Sequence, residues 1–381
     1  MATLLVVSVT FAWAFGPSPQ GLPHLQVSVR RVPNGGIQPQ VVKDEGGALH
    51  LLYYAGDPAH GDLFYVRSLD AGDTWSSPIR VNSEEGTAIA LGTIRGGQLA
   101  VGRGGRVHVA WNGSSRTAAA QASTPMLYAR LNDAHTAFER ERNLMTHTFG
   151  LDGGGAIAAD TTGHVYVAWH AKSSGAAAGE SGRRVWIASS SDEGKTFSEE
   201  RPATNQPTGA CGCCGMAMYL DSRGNLRALY RSATEDVHRD IYLLASRDQA
   251  RTFSDRKLDT WTVNACPMSS MAFAENAGRV EGTWETGGKV YFEDLTDENA
   301  KPVSAPASSK SQKHPRVSIA SNGETLLVWT EGTGWNRGGT AGWQLYNPAG
   351  ALATEKCATA GVPTWSFAAA TATAHGFLIL Y

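Results

Sequence analysis

A repeated strand-turn-strand unit is the feature that most limits the folds open to this chain. Each copy has a turn glycine, then an apolar stretch with period-two alternation that ends in an aromatic residue. The seven copies start at Gly47, Gly105, Gly163, Gly224, Gly278, Gly323 and Gly376. Their spacing, roughly 45 to 61 residues, suits a four-stranded antiparallel unit with its loops, and no segment keeps a helical period. The sequence therefore predicts an all-β repeat protein.

Repeated four-stranded sheets can close into a ring, the β-propeller, which typically has four to eight blades. Seven units favour seven blades here. The last unit, residues 361–381, is short, and the segment from Leu25 to Val32 can complete it with a further strand. We therefore predict a single propeller domain over residues 25–381, closed by strands from both ends of the chain.

A second motif, Ser-x-Asp-x-Gly-x-Thr-aromatic, recurs in three of the units. The good copies are Ser68–Trp75, Ser190–Phe197 and Ser246–Phe253, and a decayed copy covers Leu131–Phe138. Its aspartates, Asp70, Asp192 and Asp248, are expected to accept backbone N–H bonds across a hairpin turn, while the aromatic residue packs between sheets. We interpret these aspartates as structural.

This motif resembles the Asp-box of the sialidase superfamily, and the resemblance extends over the mature chain as architecture. It implies an Asp-box propeller with an exo-alpha-sialidase-like glycoside hydrolase activity. Sialidases have six blades, so six is the alternative to seven. They hold the substrate carboxylate with three arginines, and Ile37 stands where the first of these is expected. The standard three-arginine site is therefore not found in this sequence.

Strand order predicts which face carries a site. The turn glycines and the Asp-boxes share one face, and the other face, here called the loop face, receives the starts of the first strands and the loops after the second strands. The candidate catalytic residues there are Arg95, Asp152 and Glu285. The candidate ligand contacts are His170, Arg231, His314, Glu331 and Trp335. We expect a glycan or similar small polar ligand at the axial pocket, with a non-catalytic interaction scaffold as an alternative.

Sulfur-bearing residues cluster at the starts of two neighbouring units. Three cysteines, Cys211, Cys213 and Cys214, lie in the stretch GACGCCGM, and Cys266 and Met268 lie in CPMS. A disulfide between Cys266 and Cys213 or Cys214 would join two blades near the axis. A soft-metal site for copper or zinc and a redox-active cysteine beside a cation such as Arg231 are the alternatives.

These alternatives differ in what they require of the backbone. In an extended strand Cys211 and Cys213 point one way and Cys214 the other, so one metal could bind them together only if the strand breaks. Gly212 and Gly215 permit such a break.

Composition and the N-terminus bear on partners and location. The chain has 33 Lys and Arg against 35 Asp and Glu, with no long run of like charge, so a nucleic-acid partner is not expected. The apolar run from Ala2 to Phe11, followed by Ala12-Trp13-Ala14, predicts a signal peptide over residues 1–14 and a secreted or periplasmic protein. No later run is long enough for a membrane span. We expect a monomer.

Overall fold

Seven β-sheets surround a common axis in the computed structural model, which describes residues 25–118 and 124–381. The predicted all-β propeller is confirmed, with seven blades rather than the alternative six. The signal peptide predicted for residues 1–14 lies outside the described residues. Within the described ranges no helix has the length and apolar character needed to cross a membrane. The helices found there are two single 3₁₀ turns, Pro33–Gly35 and Arg103–Gly105.

Strands are numbered in chain order, and β1 (Gln26–Arg30) belongs to the last blade. Blade 1 contains β2 (Ile37–Lys43), β3 (Leu49–Asp57), β4 (His60–Ser68) and β5 (Ile79–Arg80). Blade 2 contains β6 (Gln98–Val101), β7 (Val107–Asn112), β8 (Met126–Arg130) and β9 (Arg142–Asn143). Blade 3 contains the short β10 (Thr148–Phe149), β11 (Ala156–Ala159), β12 (Val165–Ser173), β13 (Arg184–Ser190) and β14 (Arg201–Pro202).

The remaining blades follow the same order from the axis outward. Blade 4 contains β15 (Ala217–Leu220), β16 (Leu226–Arg231), β17 (Ile241–Ser246) and β18 (Ser254–Asp259). Blade 5 contains β19 (Ala272–Asn276), β20 (Arg279–Thr286), β21 (Lys289–Asp294) and β22 (Val303–Ser304). Blade 6 contains β23 (Gln312–Ile319), β24 (Thr325–Glu331), β25 (Gly339–Tyr346) and β26 (Cys357–Val362). Blade 7 contains β27 (Ala369–Thr373), β28 (Gly376–Leu380) and β1.

Blade 7 joins the two ends of the described chain. Strand β1 pairs with β28 in parallel, from Gln26 opposite Gly376 to Arg30 opposite Leu380. The other pairings within the described sheets are antiparallel, as expected for consecutive strands joined by short turns. The parallel pairing follows because β1 enters this blade from the far end of the sequence rather than through a hairpin.

Apolar side chains hold neighbouring blades together. The described buried residues form seven separate clusters, and each cluster draws on two adjacent blades, including blades 7 and 1. Alternation along the second strands produces this pattern, because successive side chains face opposite neighbours. Four fully buried tryptophans near the ends of second strands anchor these layers: Trp111, Trp169, Trp284 and Trp329. The ring is therefore closed by packing at every interface.

The Asp-boxes form the hairpin turns between third and fourth strands. Asp192 accepts hydrogen bonds from the Thr196 amide at 2.9 Å and its hydroxyl at 2.7 Å, and Asp70 and Asp248 bond to Thr74 and Thr252 in the same way. These bonds connect the two ends of each turn. They place the aspartates on the face opposite the first-strand starts.

The decayed copy in blade 2 uses a different residue from the one the motif suggests. Asn132 accepts the amide of Thr136 at 2.9 Å, whereas Asp133 forms an ion pair with Arg106. The motif is thus shifted by one residue in this blade, and an uncharged side chain provides the turn's acceptor.

Candidate functional site

The segment with three cysteines lies at the loop face, before the first strand of blade 4. Strand β15 begins only at Ala217, and residues 211–216 form a turn in which the Cys214 amide bonds to the Cys211 carbonyl at 3.4 Å. The chain is therefore not an extended strand at the three cysteines, and the break that Gly212 and Gly215 permit is present. Two bonds to neighbouring elements hold the turn: the Cys211 amide donates to the Arg231 carbonyl, and the Gly215 amide donates to the Ser269 carbonyl, each at 2.9 Å.

This turn brings the three sulfur atoms together. The Cys211 Sγ lies 3.4 Å from the Cys213 Sγ and 3.3 Å from the Cys214 Sγ, and all three lie within 4.8 Å of one another. Cys211 and Cys214 are buried and Cys213 is partly exposed. Three thiolates bound to one metal at about 2.3 Å stand ~4 Å apart, so the cluster needs only a small expansion to hold an ion.

Charge sharing inside the cluster favours one thiolate. Burial opposes ionisation of Cys214, yet the pKa of Cys214 lies well below the usual thiol value because Cys211 and Cys213 hydrogen bond to it and the Arg231 guanidinium is near. The pKa of Cys213 is raised, chiefly by its hydrogen bond to Cys211 and then by Cys214 and burial. The group therefore combines a buried thiolate with neighbouring thiol donors.

A buried ion pair lies next to the cysteine cluster. Arg231 Nη2 lies 3.2 Å from Glu285 Oε2, and both side chains are almost completely buried. The guanidinium also donates to the carbonyls of Arg239 and Glu285 and packs 5.3 Å from the Trp261 ring. Burial raises the pKa of Glu285, and Arg231 acts in the opposite direction. Both residues were predicted for the site, and the structure places them beneath the cysteines rather than on an open surface.

A second guanidinium flanks the cluster from the loop between β16 and β17 of the same blade. Arg239 is buried and pairs with Glu180 Oε2 at 2.5 Å, and Glu180 Oε1 accepts the amide of Gly212 at 2.5 Å. The thiols of Cys211 and Cys213 contribute to a raised pKa of Arg239, although burial acts against it. Sequence reasoning missed this contact, because Glu180 lies on a long loop of blade 3 whose position no local pattern indicates.

His170 also contacts the cysteine turn. Its Nε2 lies 3.0 Å from the Cys214 carbonyl oxygen, so this nitrogen carries the proton, and its buried Nδ1 has no hydrogen-bond partner among the described residues. Burial lowers the pKa of His170, which leaves the ring neutral. The histidine therefore supports the backbone of the turn.

A polar patch lies beside the turn on the same face. Arg95 Nε donates to the Asp152 carbonyl at 2.7 Å, and its Nη2 pairs with the Asp152 carboxylate. The guanidinium carbon lies 5.8 Å from the ring centre of Trp335, which is 50% exposed. An accessible aromatic ring beside an ion pair is an arrangement that can stack on a sugar or another flat polar ligand.

The other predicted residues lie apart from the three cysteines. Cys266 is exposed, all five cysteines are free in the structure, and the described thiol cluster does not include Cys266. A turn rather than a strand precedes β15, and this redirects the sulfur atoms toward one another instead of toward blade 5. Glu331 is buried against Trp329 Nε1 at 2.8 Å and Lys356 Nζ at 2.5 Å.

The first strands of blades 1 and 6 begin with matching bulges. In each, a residue with positive φ precedes a proline: Gln38 at 52° before Pro39, and His314 at 51° before Pro315. Such a bulge redirects the next side chain. His314, a predicted ligand contact, is buried there, and burial lowers its pKa to about 3.

A cavity of about 440 Å³ follows the axis and is lined by first strands of all seven blades. Arg316, which follows the bulge in blade 6, lines this cavity at the loop-face end. Only 9% of the residue is exposed. Sequence reasoning missed this arginine. The bulge between Lys313 and Arg316 interrupts the period-two alternation that would otherwise indicate which residues face the axis.

Comparisons with known proteins show the fold. No family model matches the chain, and no curated protein matches it either. Among solved structures, Penicillium chrysogenum alpha-L-arabinanase complexed with arabinobiose is 14% identical with a TM-score of 0.58, covering 87% of this chain and 100% of that one.

Two sialidases are similar to a comparable degree. A Hadza microbial sialidase is 13% identical with a TM-score of 0.53, covering 83% of this chain and 69% of that one. Trypanosoma rangeli sialidase in complex with the inhibitor DANA is 12% identical with a TM-score of 0.51, covering 82% and 56%. The chain is thus a seven-bladed β-propeller whose fold is shared with glycan-active enzymes. At this identity the likeness concerns architecture alone.

Proposed function

We propose that this propeller binds a soft metal ion, Cu(I) in preference to zinc, through Cys211, Cys213 and Cys214. The observation that carries the proposal is the convergence of three sulfur atoms within 4.8 Å where the strand breaks. Soft thiolate ligands select Cu(I), zinc or iron–sulfur clusters. Structural zinc is almost always four-coordinate, and the described residues place no fourth His, Cys, Asp or Glu ligand in this group. An all-sulfur set of three ligands therefore favours Cu(I).

The surroundings suit a thiolate centre electrostatically. A buried ion needs charge compensation, and two buried guanidiniums, Arg231 and Arg239, flank the sulfurs. Their own carboxylate partners, Glu285 and Glu180, fix both side chains in place. Cys213 is partly exposed, so an ion can reach the cluster from the loop face.

Titration of the reduced protein with Cu(I) against a chromogenic chelator tests this proposal. One equivalent is expected to bind, and Cys211→Ser and Cys214→Ser are each expected to weaken binding by at least about tenfold, since each removes a ligand. Cys266→Ser and Cys357→Ser are matched controls, because both thiols are exposed and lie outside the cluster. Failure to compete with the chelator, or equal losses in the control variants, would contradict the proposal.

A redox role for the same cysteines gives a different result. Oxidation of two clustered thiols in air would leave three free thiols of the five, and would prevent Cu(I) binding until a reductant is added. A thiol count before and after reduction separates this alternative from a stable metal site.

Trp335 favours a second candidate function, binding of a glycan or similar polar ligand at the loop face. The ring is half exposed beside the Arg95–Asp152 pair, and the fold is shared with an arabinanase and sialidases. Trp335→Ala is expected to abolish glycan binding, whereas Phe149→Ala, at another exposed aromatic residue, is expected to leave it unchanged. No binding by the unaltered protein would exclude this candidate.

Sialidase activity is a separate question within this candidate. Release of sialic acid from a fluorogenic substrate, lost in Arg95→Ala, would assign exo-alpha-sialidase activity to the chain. We expect no such release, because Arg95 is already paired with Asp152 and Arg231 with Glu285.

A further inference from the structure

Arg316 lines the axial cavity, and no acidic partner for it is found in the described part of the chain. Arg316 Nη1 donates to Ser270 Oγ at 3.1 Å and to the Pro315 carbonyl at 2.9 Å, and the guanidinium carbon lies 4.6 Å from the Phe367 ring centre. No ion pair joins Arg316 to a carboxylate among residues 25–118 and 124–381. Burial alone lowers the pKa of Arg316 to about 10, and no nearby acid offsets that effect. A buried charge of this kind normally has a counter-ion.

The cavity lining favours an anion as that counter-ion. Gln40 occupies the place after the blade 1 bulge that Arg316 occupies after the blade 6 bulge, and both line the cavity. The buried Nε2 of Gln40 has no hydrogen-bond partner among the described residues, so a second donor is available. Among the described residues Glu275 is the one acid in the lining, and Tyr219 and Ser222 engage it near the opposite end.

From this arrangement we propose that the axial cavity binds a small oxyanion, such as sulfate or a simple carboxylate, at Arg316. The guanidinium presents a planar fork of donors that matches two oxygen atoms, and Nη1 is already held by Ser270 and Pro315. The anion neutralises the buried charge where first strands of blades 5, 6 and 7 meet. This site lies inside the ring and uses none of the three proposed sulfur ligands, so its failure leaves the proposed metal function untouched.

Thermal unfolding in sulfate and in acetate tests the proposal. With ionic strength held constant by sodium chloride, we expect one of these anions to raise the Tm along a saturating curve, because a ligand that binds only the folded state stabilises it. Arg316→Gln is expected to lose this rise. Lys43→Gln is the matched control, since Lys43 lines the opposite end of the same cavity.

Each outcome decides the question. A saturating rise that Arg316→Gln abolishes and Lys43→Gln retains supports the proposal, and whichever of sulfate or acetate gives it identifies the class of anion. No saturating rise with either anion, an unchanged rise in Arg316→Gln, or a rise lost in Lys43→Gln overturns it. If Arg316→Gln does not fold, Arg316→Lys replaces it in the same experiment. Lysine keeps the charge but lacks the planar fork of donors, so weaker anion binding than in the unaltered protein agrees with the proposal, and equal binding contradicts it.

Discussion

At the scale of single residues, the Arg231–Glu285 pair gives the clearest energetic prediction. Arg231→Met leaves a carboxylate buried without its cation and is expected to lower the free energy of unfolding by roughly 3–5 kcal/mol. Adding Glu285→Leu removes the stranded charge and is expected to recover much of that loss. Urea unfolding of the two variants measures the difference. A double variant no more stable than Arg231→Met would show that the pair does not act as a charge pair.

Residue types and spacing predicted some of the residues that lie near the cysteines, but they did not predict the contacts that these residues make. Arg231 was expected as a neighbouring cation, and the structure places it where it lowers the pKa of Cys214. The contribution of Arg239 and Glu180 could not be predicted, because their contact joins loops of two blades. In blade 2 the motif pointed to Asp133, but Asn132 accepts the hydrogen bond of the turn. A shift of one residue keeps this hydrogen bond and is hard to detect in the sequence.

At the scale of structural elements, the Asp-box turns make stability depend on pH. Burial is the largest single influence on the pKa of Asp192 and raises it, but hydrogen bonds from Thr196 and Ser190 together outweigh burial and lower this pKa to about 2, against an ordinary value near 3.8. The ionised carboxylate therefore stabilises the fold above about pH 4, and this contribution is lost as the pH falls toward 2. Asp192→Asn is expected to reduce the Tm by a few degrees at pH 7, with the gap closing between pH 4 and pH 2.

Blade 2 contains the matched control for this effect. Asn132 accepts the corresponding amide without a charge, so Asn132→Ala is expected to reduce the Tm by a similar amount at both pH values. Differential scanning calorimetry across this range measures both variants. An Asp192→Asn deficit that stays constant from pH 7 to pH 2 would contradict the account.

The cysteine turn is the element that local pattern could not predict. Repeat spacing placed the three cysteines at the start of a unit and left open whether the strand breaks there, whereas bonds to the Arg231 and Ser269 carbonyls, from outside the strand, stabilise a turn. Gly153 packs against this turn. A Cβ atom added to Gly153 would overlap the carbonyl oxygen of Gly212 and lie 2.9 Å from the carbonyl oxygen of Cys214.

Gly153→Ala is therefore expected to displace the cysteine turn and to weaken Cu(I) binding by about tenfold or more. The measurement is the same chelator competition. Gly334→Ala, on a loop where the added Cβ meets no atom closer than 3.5 Å, is the control. Equal Cu(I) affinity in the two glycine variants would show that the turn's backbone position does not matter for the site.

At the scale of the whole molecule, the ring depends on one strand from the start of the described chain. Strand β1 adds Val27 and Val29 to the apolar cluster between blades 6 and 7. A chain starting at residue 31 loses this strand and is expected to unfold about 10 °C lower or more, since several apolar side chains lose burial. A chain starting at residue 15, the predicted cleavage site, is expected to keep the Tm of the full chain. Equal stability of both truncations would contradict closure by β1.

The repeat predicted the architecture well because its glycines and alternation are imposed by every blade. The site was less predictable, since it depends on how non-repeating loops from different blades meet at one face. The sialidase resemblance agrees with the fold, but the loop face has a thiol cluster and internally paired arginines where that resemblance implies a carboxylate clamp.

X-ray absorption at the copper edge of the Cu(I)-loaded protein tests the central claim most directly. The structure predicts that the copper's first shell consists of three sulfur atoms, and that Cys214→Ser removes one of them or abolishes loading. A first shell of nitrogen and oxygen, or a spectrum unchanged by Cys214→Ser, would contradict a copper site built from Cys211, Cys213 and Cys214.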